Sequence, residues 1–347
     1  MDKLFFLLSG EHKTLPYAEL KAILEAEKIK FEELDRSTQV IRIEANPKCI
    51  ENIRLRAALT RVCCIEFFNC VAKYNEILSY VSKVPFENFI NDGETFCVRI
   101  KRIRGASPHI SCLMLEKEIG GEILKKKPKV KVNLENPDKM FFGVLTDGRF
   151  IFGLKVAEID PGEFIERRPS RKPFFHPTAM PAKLARCMVN LARATRGSTV
   201  LDPFCGTSSI LIEAGLIGCK IIGLDVKKKM IYGSKENLSY FKLKPEALIL
   251  GDALKPPLKC EIADFIVTDP PYGRSATTMG LKVESVFESF FSNTIEVLSR
   301  GGFICVASPS RIGVSKFGVD YGLKHLESHF VYVHGGLTRE ISVFLKP

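Results

Sequence analysis

The sequence predicts an α/β protein: a doubly wound sheet of seven strands in the C-terminal half, preceded by a smaller α+β region. Three observations lead there. From Phe174 onward, seven apolar runs of strand length follow one another, most of them separated by helical segments, as in successive βαβ units. Four of these runs close on or beside an aspartate: Asp202, Asp225, Asp252 and Asp269. Residues 1–75 alternate strand and helix signals in a different order and carry no active-site vocabulary.

The first 75 residues read as strand 3–9, helix 16–27, strand 40–43, helix 48–59 and a closing strand at 65–68. Leu20, Ile23 and Leu24 give the first helix its apolar face, with Pro16 near its start. In the second helix Ile50, Ile53, Leu55 and Leu59 recur. The opening run Leu4–Leu8 is too short and too soon followed by Glu11 and His12 for a signal peptide, and it reads as a strand. No apolar run reaches the roughly 18 residues that span a bilayer, so no membrane partner is expected.

Residues 76–155 change character. The stretch 96–105 alternates apolar and basic residues at period two, as in a strand that turns its cysteine, valine and isoleucines inward and a line of arginine and lysine outward. A helix follows at 113–124, then Lys125-Lys126-Lys127 before Pro128, then a strand over 129–138 with outward lysines. From Arg99 to Lys131 there are ten basic residues and three acidic ones, an excess of seven in a chain whose formal charge is +11. One sign concentrated in one stretch suits a phosphate backbone, with contacts that weaken as salt rises. Arg99, Lys101, Arg102, Arg104, Lys125, Lys126, Lys127 and Lys129 are the candidate RNA contacts.

The run Val98-Arg99-Ile100-Lys101-Arg102, the helix with Glu118-Ile119-Gly120-Gly121-Glu122-Ile123, and the segment Val132-Asn133-Leu134-Glu135-Asn136-Pro137-Asp138 resemble a THUMP domain. The segment before them resembles the ferredoxin-like domain that accompanies THUMP in RNA-modifying enzymes. The resemblance implies that the two together grip the acceptor end of tRNA. Residues 156–175 read as a linker, with Arg167, Arg168, Arg171 and Lys172 among prolines making a stiff basic connector.

The chemistry is concentrated beyond it, in residues 176–347. Thr199–Asp202 is followed by Pro203-Phe204-Cys205-Gly206-Thr207-Ser208-Ser209, a strand, a tight turn and a helix start. Ligands of such folds bind outside the carboxyl ends of the strands. The turn carries one glycine rather than G-x-G-x-x-G, and it places acidic Asp202 where a pyrophosphate would need unopposed backbone amides. An anion-poor, amino-bearing ligand fits better, and S-adenosylmethionine is such a ligand. Asp202 is expected to accept from its ammonium, Asp225 at the end of the second strand from both ribose hydroxyls, and Asp252 after the third from the adenine amine. Thr178, Phe204, Cys205, Gly206, Thr207, Val226, Ala253 and Asp269 complete the expected cofactor contacts.

The fourth strand runs into Asp269-Pro270-Pro271-Tyr272-Gly273, followed by the small-polar segment Ser275–Gly280. Prolines fix φ and leave backbone carbonyls without neighbouring N–H groups, so this edge is stiff and rich in acceptors. An exocyclic amine of a base is a weak nucleophile, because its lone pair is delocalised into the ring. Asp269 and the Pro270 carbonyl can accept its two N–H bonds, and these bonds strengthen as the nitrogen becomes cationic. Tyr272 can stack on an extruded base, a contact of about 1–3 kcal/mol. Asp269, Pro270 and Tyr272 are therefore the candidate catalytic group.

Asp269-Pro270-Pro271-Tyr272 and the segment 176–185 resemble the Rossmann-fold methyltransferases that act on exocyclic amines. Together with the THUMP-like front, the chain is similar to the tRNA guanine-10 N2-methyltransferase family, archaeal type. The resemblance implies N2-methylguanosine and, in that branch, dimethylguanosine. One departure stands out: relatives usually carry another glycine after Gly206-Thr207, where this chain has Ser208-Ser209. Methylation of a guanine at another tRNA position or in ribosomal RNA is the nearest alternative, and a non-catalytic RNA-binding scaffold the one of a different class.

The eleven cysteines lie scattered in apolar contexts, with no Cys-x-x-Cys pair and no Cys/His cluster of zinc spacing. They predict free thiols in a reducing cytoplasm, no disulfide framework and no metal. A monomer is expected.

Overall fold

The computed structural model describes residues 1–272 and 282–347. In chain order the first elements are β1 (Asp2–Leu8), α1 (Leu15–Ala26), β2 (Phe31–Ser37), β3 (Val40–Ala45), α2 (Cys49–Arg56), β4 (Thr60–Val71), α3 (Tyr74–Val81), β5 (Thr95–Arg102), α4 (Cys112–Lys126), β6 (Lys131–Val132), β7 (Lys139–Thr146) and β8 (Arg149–Glu158). The rest are α5 (Gly162–Glu166), α6 (Ala182–Leu191), β9 (Thr199–Asp202), α7 (Ser209–Leu216), β10 (Lys220–Asp225), α8 (Lys228–Tyr240), β11 (Ala247–Leu250), β12 (Ala263–Thr268), α9 (Val283–Thr294), β13 (Leu298–Pro309), α10 (Val314–Asp320), β14 (Lys324–His334) and β15 (Leu337–Leu345). They form two compact units, each built on one sheet.

The first unit comprises residues 1–11, 29–54 and 60–159, on a sheet of order β2-β3-β1-β4-β8-β7-β5-β6. β1 is its buried centre, an unbroken apolar run from Leu4 to Leu8 paired antiparallel with β3 and β4. The order β2-β3-β1-β4, all antiparallel, is the ferredoxin-like arrangement. β4 continues the sheet into β8, so the boundary drawn near residue 75 falls just past a strand shared by both halves. β7 and β8 are joined by Asp147-Gly148 with φ of 45° and 71°, the positive-φ pair a tight hairpin requires. Beneath this sheet Phe86, Phe141, Phe150 and Phe152 pack together, Phe86 edge-on to Phe141 at 5.3 Å.

Two expectations change here. The strand expected over 129–138 pairs with β5 only at Lys131–Val132, because Asn133 then turns the chain by accepting from the N–H groups of Glu135 and Asn136. β2 is a polar edge strand, FEELDRS, whose composition hides it from an apolar-run reading.

The second unit gathers residues 12–28, 55–59 and 160–347. Its sheet runs β11-β10-β9-β12-β13-β15-β14, with β15 antiparallel to both neighbours and the other strand pairs parallel. The three strands read as 199–202, 220–225 and 247–250 occur with those bounds. Helix α1 belongs to this unit: its Glu19 is buried and accepts from the N–H groups of Ala58 and Leu59 and from Asn190 Nδ2 at 2.7–3.0 Å. The stretch read as a linker is also packed. Arg167 pairs with buried Glu213 at 2.8 Å, and buried Lys172 donates to Ser209 Oγ at 2.7 Å, so two of its four cations serve folding. No helix among the described residues is long and apolar enough to cross a membrane.

Candidate active site

Because β11, β10, β9 and β12 are parallel, their carboxyl ends lie along one edge, and the strand order reverses between β9 and β12. A crevice at such a switch point is where ligands of open α/β sheets bind. Asp202 ends β9 and is 2 % exposed. Its Oδ1 accepts from Thr268 Oγ1 at 2.7 Å and from the Phe204 N–H at 3.1 Å. Burial pushes its carboxyl up to about 7, and the charges of Asp269 and Asp225 act in the same direction. A cation is the group that would relieve all three.

Asp225 ends β10. Its Oδ2 accepts from the Gly206 N–H at 3.0 Å and its Oδ1 from the Lys227 N–H at 2.8 Å. Burial raises its pKa, against those two bonds and the nearby charges of Lys227 and His176. Gly206 has φ +50°, and among the described residues a Cβ built there meets only the Phe204 carbonyl at 3.9 Å, so the turn is open to them on that side. Ser208 adopts φ +62° with a fully buried side chain; the glycine expected of relatives would sit there without strain. Cys205 is buried and its thiol raised well above its ordinary range by burial, a packing residue. The Phe204 ring lies 6.1 Å from that of Phe290, and Thr207 is buried with Oγ1 at 3.5 Å from Ser209 Oγ.

Other expected contacts lie around this turn. Thr178 is exposed, and its Oγ1 meets His176 Nδ1 at 2.8 Å. Asn237 on α8 ties the segment to the turn, its Nδ2 donating to the carbonyls of Phe174 and Thr207, both at 3.0 Å. Val226 is exposed, Asp252 is exposed with Oδ1 accepting from the Leu254 N–H at 2.9 Å, and Ala253 is buried. Carboxylate acceptors with an open glycine turn fit an ammonium, a ribose diol and an amino-bearing base better than a phosphate.

Asp269 follows β12 directly. Its Oδ2 lies 3.3 Å from Arg339 Nη2, while its Oδ1 is buried without a hydrogen-bond partner among the described residues. Burial raises the Asp269 pKa, opposed by the Arg339 charge and the Tyr272 hydroxyl. Arg339 Nε donates to Tyr272 Oη at 2.5 Å, and its guanidinium carbon stands 5.9 Å from the centre of the Tyr272 ring. Pro270, next after Asp269 in the chain, is buried. Gly273 and the Ser275–Gly280 segment lie outside the described residues. Arg339 is not legible as a site residue in the sequence, since it opens a strand far along the chain and only the sheet brings it here.

Residues 169–340 match the family model described as "RMKL-like, methyltransferase domain", and residues 71–154 match the THUMP domain. A tRNA (guanine(10)-N2)-dimethyltransferase of Methanothermobacter thermautotrophicus is 35% identical over 341 residues, covering 98% of each chain. The chain belongs to the tRNA (guanine(10)-N2)-dimethyltransferase family. Membership makes it a methyltransferase and bears out the resemblance read from the sequence. A family member from Methanocaldococcus jannaschii is 34% identical over 368 residues, covering 98% of this chain and 99% of its own. The crystal structure of TrmN from Thermus thermophilus shares the fold at a TM-score of 0.58 and 18% identity, over 99% of this chain and all of that one.

The eight candidate RNA contacts of this family member's THUMP region divide into two sets. Lys101, Arg104, Lys125 and Lys129 are exposed, Lys125 beside Glu122 and Lys129 beside Asp92. The others serve the fold. Arg102 donates to the carbonyls of Ala106, Ser107 and Ile110, and Arg99 to that of Leu134. Lys126 donates to the carbonyls of Ser82 and Val84, and Lys127 pairs with Asp92 at 2.6 Å. Period-two spacing marks which side of a strand a cation leaves, but not whether a loop then folds over it.

Proposed function

We propose that this chain transfers methyl groups from S-adenosylmethionine to the exocyclic N2 of guanosine 10 in tRNA, giving N2-methylguanosine and then N2,N2-dimethylguanosine. The activity named for relatives that match almost end to end supports the substrate. The observation that carries the chemistry is the Oδ1 of Asp269, buried and without a hydrogen-bond partner among the described residues, beside the cofactor edge. When bound, S-adenosylmethionine supplies an electrophilic methyl group. Asp202 accepts from its ammonium, Asp225 from its ribose hydroxyls and Asp252 from its adenine amine, while Thr178, Phe204, Gly206, Thr207, Val226 and Ala253 line its seat and Cys205 packs behind the turn.

At the amine, Asp269 Oδ1 and the Pro270 carbonyl accept the two N–H bonds and orient the nitrogen lone pair. As that nitrogen gains positive charge both bonds strengthen, and the carboxylate is placed to take the proton the amine sheds. Tyr272 covers the base. A second methylation needs the singly methylated amine turned by half a turn, with its remaining N–H on one of the same acceptors. Residues 1–75 and 76–155 grip the tRNA, using Lys101, Arg104, Lys125 and Lys129, and residues 176–347 carry the transfer. Nucleoside mass spectrometry of tRNA incubated with protein and cofactor tests this. Methylated N2-guanosine mapped to position 10 is expected; methyladenosine alone would overturn it.

A further inference from the structure

Arg339 enters the site from the start of β15, the antiparallel strand, whose register sets Arg339 opposite Pro309 of β13. Its side chain is 13 % exposed and binds two members of the Asp-Pro-Pro-Tyr edge at once, Tyr272 Oη through Nε and Asp269 Oδ2 through Nη2. A plain structural ion pair would be expected to satisfy both carboxylate oxygens, because a half-satisfied buried carboxylate is costly. Here one oxygen is taken and the other is buried and unpartnered among the described residues. A planar guanidinium can span two acceptors set apart in this way; an ammonium is a point charge and cannot fix both directions.

We propose that Arg339 is the positioning residue of the transfer site, fixing Asp269 through Oδ2 and Tyr272 through its hydroxyl so that Oδ1 is left as the ionised acceptor for the guanine amine. This rests on the reading of Asp269 given above. The polarity matters, because a protonated carboxyl would present a donor to a donor. Among the described residues Asp202 and Tyr272 are the other titratable groups facing Asp269, and neither brings a positive charge. Burial raises the Asp269 pKa and the Arg339 charge opposes it. Without Arg339 the carboxyl stays protonated to higher pH, and the ring of Tyr272 loses its tether.

The test is single-turnover methyl transfer to tRNA at saturating cofactor, as a function of pH, for the wild type, Arg339→Met and Arg339→Lys. Arg339→Met should lose about 100-fold in rate at neutral pH, the order expected when a reacting group is misplaced by an ångström. Its acid limb should move to higher pH, while cofactor affinity stays within twofold of wild type. Arg339→Lys restores the charge but not the fork, so its acid limb should return toward that of the wild type while its rate stays reduced. A folded Arg339→Met variant with wild-type rate and pH profile overturns the proposal. So does a rate loss without any shift of the acid limb, which marks a structural role only. If the wild type methylates a different amine, the substrate reading falls, and the pH profiles of the variants still decide the role of Arg339.

Discussion

Acidifying the solution below neutrality should weaken cofactor binding, and Asp202 sets where. Burial raises its carboxyl to about 7, with Asp269 and Asp225 adding to the effect and the Thr268 hydroxyl and Phe204 N–H opposing it. An ammonium is best received by the ionised form, so below that pKa binding must first remove a proton. Each unit of pH then weakens affinity about tenfold, or about 1.4 kcal/mol. Above about pH 8 the ligand's own α-amino group loses its charge, so affinity should peak between the two pKa values. Calorimetric titration with S-adenosylhomocysteine, which carries the same ammonium and cannot react, measures this directly. Asp202→Asn should bind more weakly near neutrality and lose the acid limb. Affinity that stays flat from about pH 5 to about pH 7 in the wild type, or an unchanged slope in Asp202→Asn, refutes the assignment of Asp202.

The same residue makes a stability prediction of definite sign. Its folded pKa lies above the ordinary 3.8, so between about 4 and about 7 the native state binds more protons than the unfolded one. Stability from this group is therefore full below that window and falls as pH rises through it.

Other expectations follow from single contacts. Glu19→Ala removes a buried carboxylate from the donors of Ala58, Leu59 and Asn190 and should cost about 3–5 kcal/mol in denaturant unfolding, against less than about 1 if these donors re-pair. Ser208→Gly relieves a left-handed backbone and deletes a buried hydroxyl with no partner among the described residues. It should raise stability by about 1 kcal/mol, and a lowered urea midpoint would contradict that. Replacing Lys101, Arg104, Lys125 and Lys129 with alanine should reduce the slope of log tRNA affinity against log salt by about one for each phosphate no longer neutralised. Replacing Arg102 instead should destabilise the fold, because three backbone carbonyls lose their donor.

What is legible in the sequence is whatever burial writes locally. β9, β10 and β11 are short apolar runs punctuated by aspartate or glycine, and their bounds are readable to the residue. The carboxylates Asp202, Asp225 and Asp252 can be placed at strand ends for the same reason. β2 escapes such a reading because an edge strand needs little apolar surface. Side-chain commitments are not legible. Nothing near Lys126 announces the carbonyls of Ser82 and Val84, and nothing near Arg167 announces Glu213. Arg339 and Asn237 belong to the same class. Each acts on residues more than 60 positions away or on two segments at once, and such contacts exist only after the sheet has assembled.

Whether Asp269 holds the reacting amine is tested most directly by Asp269→Ala, assayed for methyl incorporation into tRNA alongside tRNA binding. Transfer should be abolished while binding is kept within a few fold. Near-normal turnover by the folded variant would contradict this role.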